Sequence, residues 1–203
     1  MDERNAVATG PREVALAVTL IVTGVIGWFA AFRLTLDKLE ILVHPAADLD
    51  CNFTVLVQCG RNLESWQGSL LGFPNPILGL AGFVAPIAVG VALLAGAQFA
   101  RWFWIAFSAG VAGAMAFVVW LMAQSIFALG TLCPYCMLTW SVVIPMFLVL
   151  TGRNAERGVF GPALRRAGAA LSRWLVLVDV LVYLAVALVA QWRLEWVQAL
   201  ILS

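Results

Sequence analysis

The four cysteines of the chain form two close pairs, and their spacing is suited to thiol–disulfide chemistry. Cys133 and Cys136 enclose a Pro-Tyr dipeptide at the start of an apolar run, and Cys51 and Cys59 lie in a polar stretch. Pro134 suits the first position of a helix, so we expect Cys133 to cap that helix and Cys136 to lie on its first turn. The positive helix end favours a thiolate, which is the attacking species in disulfide exchange.

The composition is that of an integral membrane protein. Of the 203 residues, 63% are hydrophobic and 11% are charged, whereas soluble domains have about 45–50% apolar residues. The mean hydropathy is +0.97. The net charge of +1 does not indicate a nucleic-acid partner, so we expect the chain to lie in a lipid bilayer and to bind no nucleic acid.

Five apolar segments are long enough to cross a membrane as helices, at about residues 14–34, 76–97, 102–124, 134–150 and 174–192. The one long loop, about residues 35–69, carries the first cysteine pair, and loops of this length in compact domains tend to be functional. Residues 125–132 are predicted to form a short loop, and residues 151–173 a basic one. The small residues Ala109, Gly110, Gly113 and Ala114 predict close helix packing in the third segment.

The positions of the basic residues predict the orientation of the chain. Eight of the twelve Lys and Arg residues lie before the first span, between the second and third spans, or between the fourth and fifth: Arg4, Arg12, Arg101, Arg153, Arg157, Arg165, Arg166 and Arg173. Such segments face the cytoplasm. With a cytoplasmic N-terminus and five spans, both cysteine pairs lie on the outer face, in an oxidising compartment where disulfides persist.

Dithiols at a membrane surface need an electron donor and an electron acceptor. We expect Cys51 and Cys59, on a mobile aqueous loop, to exchange disulfides with a soluble partner. Cys133 and Cys136 are expected at the edge of a pocket between helices, which can admit the isoprenoid tail of a quinone. The alternative is a membrane scaffold with static disulfides or a zinc site, which would need the four thiolates in one tetrahedral cage. We favour the redox interpretation and predict no metal.

The order of the motifs closely resembles the vitamin K epoxide reductase family in its bacterial form. The resemblance covers about residues 14–150 and rests on Cys51-x7-Cys59, Ser65, Asn75-Pro76-Ile77-Leu78-Gly79 and Cys133-Pro134-Tyr135-Cys136. An unrelated family of four-helix oxidases has its Cys-x-x-Cys in the first outer loop, which is the opposite order, and is therefore disfavoured.

The resemblance implies an all-α membrane fold with four helices around a quinone, here followed by a fifth helix, in one domain over residues 1–203. It implies a thiol:quinone oxidoreductase of the bacterial inner membrane that supports disulfide-bond formation, with menaquinone favoured. Some bacterial relatives continue into a thioredoxin-like domain, whereas this sequence ends at Ser203. We therefore expect a separate periplasmic partner with a thioredoxin fold, similar to DsbA.

The resemblance also implies roles for the four cysteines. Cys136 would face the quinone, and Cys133 would be its disulfide partner. Cys59 would form a transient disulfide with Cys133, and Cys51 would meet the soluble partner.

Three further positions correspond to expected site residues. Ser65 would order the loop or assist at the quinone ring, and Asn75 would donate a hydrogen bond to a quinone oxygen. Trp140 lies one helical turn from Cys136 on the same face, where it would line the quinone pocket or pack in the bundle. Animal members of the family have a tyrosine in place of Trp140, so the resemblance supports quinone reduction more than epoxide reduction.

Overall fold

The computed structural model describes residues 10–45 and 49–195, which are almost entirely helical. The α-helices in these ranges are α1 (Pro11–Val43), α2 (Gly60–Glu64), α3 (Asn75–Leu94), α4 (Arg101–Ala123), α5 (Pro134–Glu156) and α6 (Arg165–Leu194). A π-helix at Gln124–Leu129 continues α4, and short 3-10 helices lie at Trp66–Ser69 and Pro162–Leu164. Among the described helices, five are long and apolar enough to cross a membrane. The predicted all-α fold with five long apolar helices is confirmed.

Prolines and one glycine set the helix ends near the cysteines. Pro11 and Pro134 begin α1 and α5, and Pro76 lies in the first turn of α3. A proline is favourable there because the first N–H groups of a helix have no partner within it. Gly130, with a φ of 65°, ends the extension of α4 in the left-handed conformation that glycine adopts readily. Only two residues separate this turn from Cys133, the N-cap residue of α5.

Several helices extend into segments that the sequence predicted as loops. The predicted loop at residues 35–69 begins only after Val43, because α1 continues through good helix formers such as Leu and Lys. The π-helix replaces most of the predicted loop at residues 125–132. Likewise, α5 continues to Glu156 and α6 begins at Arg165, so the predicted loop at residues 151–173 is much shorter. In the first and third of these segments, charged residues lowered the hydropathy without ending the helices.

Close helix packing occurs between α1 and α3, and α1 and α4 also pack on α5. An added Cβ on Gly27 of α1 would lie 2.3 Å from the Phe83 ring, and one on Gly90 of α3 would lie 2.7 Å from the Ala17 carbonyl oxygen. Small residues at these points let the helices approach. The prediction of close packing at the α4 glycines was wrong, since a Cβ on Gly110 or Gly113 would meet nothing within 4 Å. Both positions face a cavity instead.

Replacement of Gly90 by alanine is expected to lower the thermal midpoint of the protein in lipid nanodiscs. Its Cβ would lie 2.7 Å from both the Ala17 carbonyl oxygen and Ile21 Cγ1, and overpacking of this kind costs about 1–3 kcal/mol. Gly82 of the same helix is the matched control, because its Cβ would meet nothing within 4 Å. Gly82→Ala is expected to raise the midpoint, since alanine is better than glycine in a helix by about 1 kcal/mol. Equal midpoints would contradict this packing.

The first turn of α1 and the last turns of α5 are joined by a charged cluster at the end of the bundle opposite the cysteines. Glu13 pairs with Arg153 at 2.8 Å and with Arg157 at 2.6 Å. The Arg153 guanidinium also lies 4.0 Å from the centre of the Trp104 ring on α4. The predicted cytoplasmic arginines thus include residues that fasten three helices together, while Arg4 lies outside the described residues.

Candidate active site

Three of the four cysteine sulfurs form a continuous chain of contacts at one end of the bundle. Cys51 and Cys59 form a disulfide, whereas Cys133 and Cys136 are free thiols. The Sγ atoms of Cys59 and Cys133 are 3.3 Å apart. A disulfide therefore touches a thiol of the second pair, which is the arrangement that thiol–disulfide exchange requires.

A short backbone bridge brings Cys59 and Cys133 together across 74 residues of chain. Val57 and Leu132 form an isolated parallel β-bridge. Leu132 N–H donates to the Leu56 carbonyl at 2.8 Å, and Gln58 N–H donates to the Leu132 carbonyl at 3.1 Å. Cys133 directly follows Leu132, and Cys59 lies two residues after Val57, so the backbone holds the two sulfurs close together.

Cys51 and Cys59, hereafter the outer pair, lie on a loop that is packed rather than open. Cys51 is 2% exposed and Cys59 is 0% exposed. They lie in an apolar cluster with the buried residues Leu34, Leu49 and Leu63. The prediction that this pair sits on a mobile aqueous loop was wrong, because the extension of α1 places an apolar wall beside it.

The Cys-Pro-Tyr-Cys motif has the predicted helix-capping geometry. Cys133 is the N-cap residue of α5, and Pro134 begins the helix. The Cys136 N–H donates a hydrogen bond to Cys133 Sγ at 3.4 Å. Backbone N–H groups at a helix start favour negative charge on such a sulfur. Cys133 is fully buried, and Cys136 is partly exposed toward the cavity.

An apolar cavity of about 700 Å³ opens beside Cys136. This volume falls within the range of about 300–1,000 Å³ that is typical of ligand sites. Its walls come from α1, α3, α4, α5 and the segment that follows Cys59, and they include Trp140, Gly110 and Gly113. Trp140 is 6% exposed and also belongs to the main core. Both roles weighed for Trp140, lining the pocket and packing in the bundle, are compatible with this position.

Ser65 and Asn75 lie in the cavity wall and order the loop above it. Ser65 Oγ accepts from Gly68 N–H at 3.2 Å and donates to the Asn62 carbonyl at 2.8 Å. Asn75 Oδ1 accepts from Leu70 N–H at 3.1 Å, and Asn75 Nδ2 donates to the Gln67 carbonyl at 2.6 Å. The Asn75 amide retains one N–H for a further partner.

Gln67 provides a polar group in the cavity that sequence reasoning missed. It is 7% exposed, and its Nε2 donates to Gln124 Oε1 at 3.2 Å. Its Oε1 is buried without a hydrogen-bond partner among the described residues. Both glutamine side chains line the cavity. A large apolar space with few polar groups and one unsatisfied acceptor oxygen fits a ligand with an apolar tail and a ring that can donate a hydrogen bond, such as the reduced form of a quinone.

Two charged residues of α1 frame the outer pair and were also missed as site residues. Arg33 donates to Tyr135 Oη at 3.3 Å and to Asp50 Oδ2 at 3.3 Å, so it links the residues beside both cysteine pairs. Asp37, one turn later, places Oδ2 3.4 Å from Cys51 Sγ. Their presence in an apolar helix is the signal that could have found them, because charges inside membrane spans usually have a function.

The same corner holds the only group of potential metal ligands found among the described residues. Asp37, Cys51 and Cys59 place their ligand-type atoms within 4.8 Å of one another. The disulfide uses both sulfurs. Since the thiolate is the form of cysteine that binds metals, the oxidised pair has no sulfur ligand to offer.

These features define a helical multi-pass membrane protein in which two cysteine pairs meet at the mouth of an apolar cavity. The model of the family described as vitamin K epoxide reductase family matches residues 18–151, which is well over half of the 203 residues. The chain belongs to this family, whose members are membrane thiol oxidoreductases. A comparison with curated proteins gives no match.

Proposed function

We propose that the protein is a thiol:quinone oxidoreductase that oxidises a periplasmic thioredoxin-fold partner and so supports disulfide-bond formation. The observation that carries this proposal is the 3.3 Å contact between Cys59 and Cys133 Sγ. It joins the pair that a partner would reduce to the pair at the cavity.

Electrons would pass along the sulfurs in four exchanges. Because Cys51 is 2% exposed in this structure, docking of the partner would open the loop first. A thiolate of the partner then attacks Cys51, and Cys59 leaves as a thiolate. Cys59 then attacks Cys133 of the oxidised Cys133–Cys136 disulfide, and Cys136 leaves as a thiolate at the cavity. After the second thiol of the partner has released Cys51, Cys51 attacks Cys59 and sets Cys133 free. The partner is thereby oxidised by two electrons, and the pair at the cavity is reduced by two electrons.

The cavity supplies the place for the electron acceptor. A quinone held beside Cys136 would supply an acceptor of two electrons and two protons, so that Cys133 and Cys136 could return to their disulfide. Trp140 and the apolar walls would hold the ring and the start of the tail. The free N–H of Asn75 would donate to a quinone oxygen, and Gln67 Oε1 would accept from a hydroxyl of the hydroquinone. We favour menaquinone on the bacterial form of the motifs. Trp140 offers no hydroxyl, so we propose quinone reduction rather than epoxide reduction.

The arrangement of the helices supports a four-helix bundle with a fifth helix beside it. The cavity is lined by residues of α1, α3, α4 and α5, and no described residue of α6 contributes to it. We place the charged cluster around Glu13 in the cytoplasm and both cysteine pairs outside the bacterial inner membrane, because basic segments stay inside. Residues 1–203 would form one domain.

Removal of quinone is the test of this function. The full chain in quinone-free nanodiscs receives an excess of a reduced thioredoxin-fold protein with a Cys-x-x-Cys dithiol. Because its four cysteines form two pairs, the chain is expected to oxidise at most about two dithiols per copy. Added menaquinone should then give continuous oxidation, measured by alkylation of the remaining thiols.

Two results would contradict the proposal. One is continuous oxidation of the thioredoxin-fold protein without quinone. The other is no continuous oxidation after quinone has been added. The alternative, a scaffold with static disulfides or zinc, predicts that the partner stays reduced, and for zinc that metal analysis finds about one ion per chain.

A further inference from the structure

The contact between Asp37 and the outer disulfide is unusual for a buried carboxyl group. Asp37 is 7% exposed, and Oδ2 lies 3.4 Å from Cys51 Sγ. The corner is apolar, because Cys51 belongs to a buried cluster with Leu34 and Leu63. Placing a carboxylate here without a hydrogen bond is unfavourable, and an aliphatic side chain would fill the corner at lower cost.

The protonation states of the two groups are complementary. A disulfide sulfur has no hydrogen to donate, so an ionised Asp37 has no donor in this contact while Cys51 is bonded to Cys59. A protonated carboxyl can donate its O–H to the sulfur. Conversely, a reduced Cys51 thiol can donate its S–H to an ionised carboxylate. One proton shared between Oδ2 and Sγ therefore satisfies the contact in both redox states.

We infer that Asp37 is a catalytic acid and base for Cys51 in the outer pair. This inference rests on the proposed function and adds a residue to it. The reductant in each cycle is the dithiol of the thioredoxin-fold partner.

Protons and electrons are conserved over the steps of the cycle. When the second thiolate of the partner attacks the partner's own sulfur in the mixed disulfide, the bond to Cys51 breaks and the partner leaves oxidised. Cys51 takes the electron pair of that bond and receives the proton of Asp37. When Cys51 later attacks Cys59 of the Cys59–Cys133 disulfide, it returns the proton to Asp37, the Cys51–Cys59 bond forms, and Cys133 leaves as a thiolate. Asp37 ends the cycle as it began.

The other charged groups around this corner have partners elsewhere, so Asp37 supplies the carboxyl group beside Cys51 Sγ. Asp50 is next to Cys51 in sequence, but its side chain is 87% exposed and pairs with Arg33. Arg33 lies one turn before Asp37 and also donates to Tyr135 of α5. Lys38 donates to the Leu63 carbonyl at 2.7 Å. Among these groups, Asp37 alone has an atom in contact with Cys51 Sγ.

The variant Asp37→Asn keeps the size of the side chain and removes its proton transfer. In quinone-free nanodiscs, reduction of the oxidised chain by the reduced thioredoxin-fold protein should slow by about 10²-fold at pH 7, since general acid–base catalysis contributes about 10²–10⁴-fold. The rate in the variant should recover as the pH rises toward the ordinary cysteine pKa of about 8.5, because thiolate then forms without a base. Asp37→Glu should retain most of the rate. Asp50→Asn, the matched exposed acid, should stay within about twofold of the wild type.

A spectroscopic measurement on the wild-type chain gives a second test, in which Asp37→Asn serves only to assign the band. Infrared difference spectra on reduction of the Cys51–Cys59 disulfide should show the loss of a protonated carboxyl band, and Asp37→Asn should lack that band. An Asp37→Asn rate within twofold of the wild type, a loss that does not recover at high pH, or absence of the band from the wild type would overturn the role of Asp37. These measurements need no quinone, so quinone-dependent oxidation by the wild type would still support the proposed function if they fail.

Discussion

A chain with both Cys51→Ser and Cys136→Ser is expected to form one disulfide, between Cys59 and Cys133, and to lose quinone-dependent turnover. The two sulfurs already lie 3.3 Å apart, and a disulfide bond of about 2.05 Å needs a movement of only about 1.2 Å. No cysteine remains in this chain to resolve the bond. Turnover should fall by at least about 10³-fold, because covalent exchange has lost both the entry and the exit thiol. Peptide mass spectrometry after alkylation under non-reducing conditions identifies the bond.

The matched control has Cys59→Ser and Cys136→Ser and keeps Cys51 and Cys133. It has the same number of thiols, but the backbone bridge at Val57 and Leu132 aligns Cys59 rather than Cys51 with Cys133. We expect little cross-linking in this chain under the same mild oxidation. Equal cross-linking in both chains would show that the sulfurs meet by chance in a loose loop, and the relay order would have to be abandoned.

Filling the cavity by Gly113→Phe is expected to lower kcat/KM for the quinone by about 10²-fold, a loss of about 2.7 kcal/mol in binding terms. A Cβ at Gly113 would meet nothing within 4 Å, and the residue lines the cavity. A phenyl ring therefore enters the space without displacing a helix and competes with the ligand for it. Reduction of the chain by the thioredoxin-fold protein without quinone should keep its rate, because the Cys59–Cys133 contact lies outside the altered volume.

Ala112→Phe is the control for this prediction. Ala112 is the preceding residue on α4, is exposed, and does not line the cavity. The same ring there would point toward lipid, where it is tolerated, and quinone kinetics should change by less than about twofold. Equal losses in both variants would indicate general damage to α4, and unchanged kinetics in Gly113→Phe would place the quinone elsewhere.

Much of the fold could be predicted because hydropathy and helix capping are local properties of the sequence. Long apolar stretches indicated five membrane helices, and the proline after Cys133 indicated a cap and a first turn, as observed. The helix ends were less predictable. Hydropathy falls at Asp37 and Lys38, yet both residues lie in α1, where Lys38 reaches the Leu63 carbonyl and Asp37 reaches Cys51.

The geometry of the site depends on contacts between residues that are distant in sequence. Burial of Cys51 requires the extension of α1, and the approach of Cys59 to Cys133 requires the bridge between Val57 and Leu132. Neither follows from the composition of the loop. The α4 glycines show the same limit, because small residues allow either a close helix or an open cavity, and only the positions of the other helices decide between the two.

The charged cluster around Glu13 has a consequence for what holds the helices of the bundle together. Its ion pairs with Arg153 and Arg157 fasten α1 to α5 at the end of the bundle away from the sulfurs. Under the proposed function the disulfides break and re-form in every cycle, so they cannot hold the helices together permanently. The ion pairs of Glu13 lie at the opposite end of the bundle, so we expect them to keep α1 and α5 in place while the disulfides exchange.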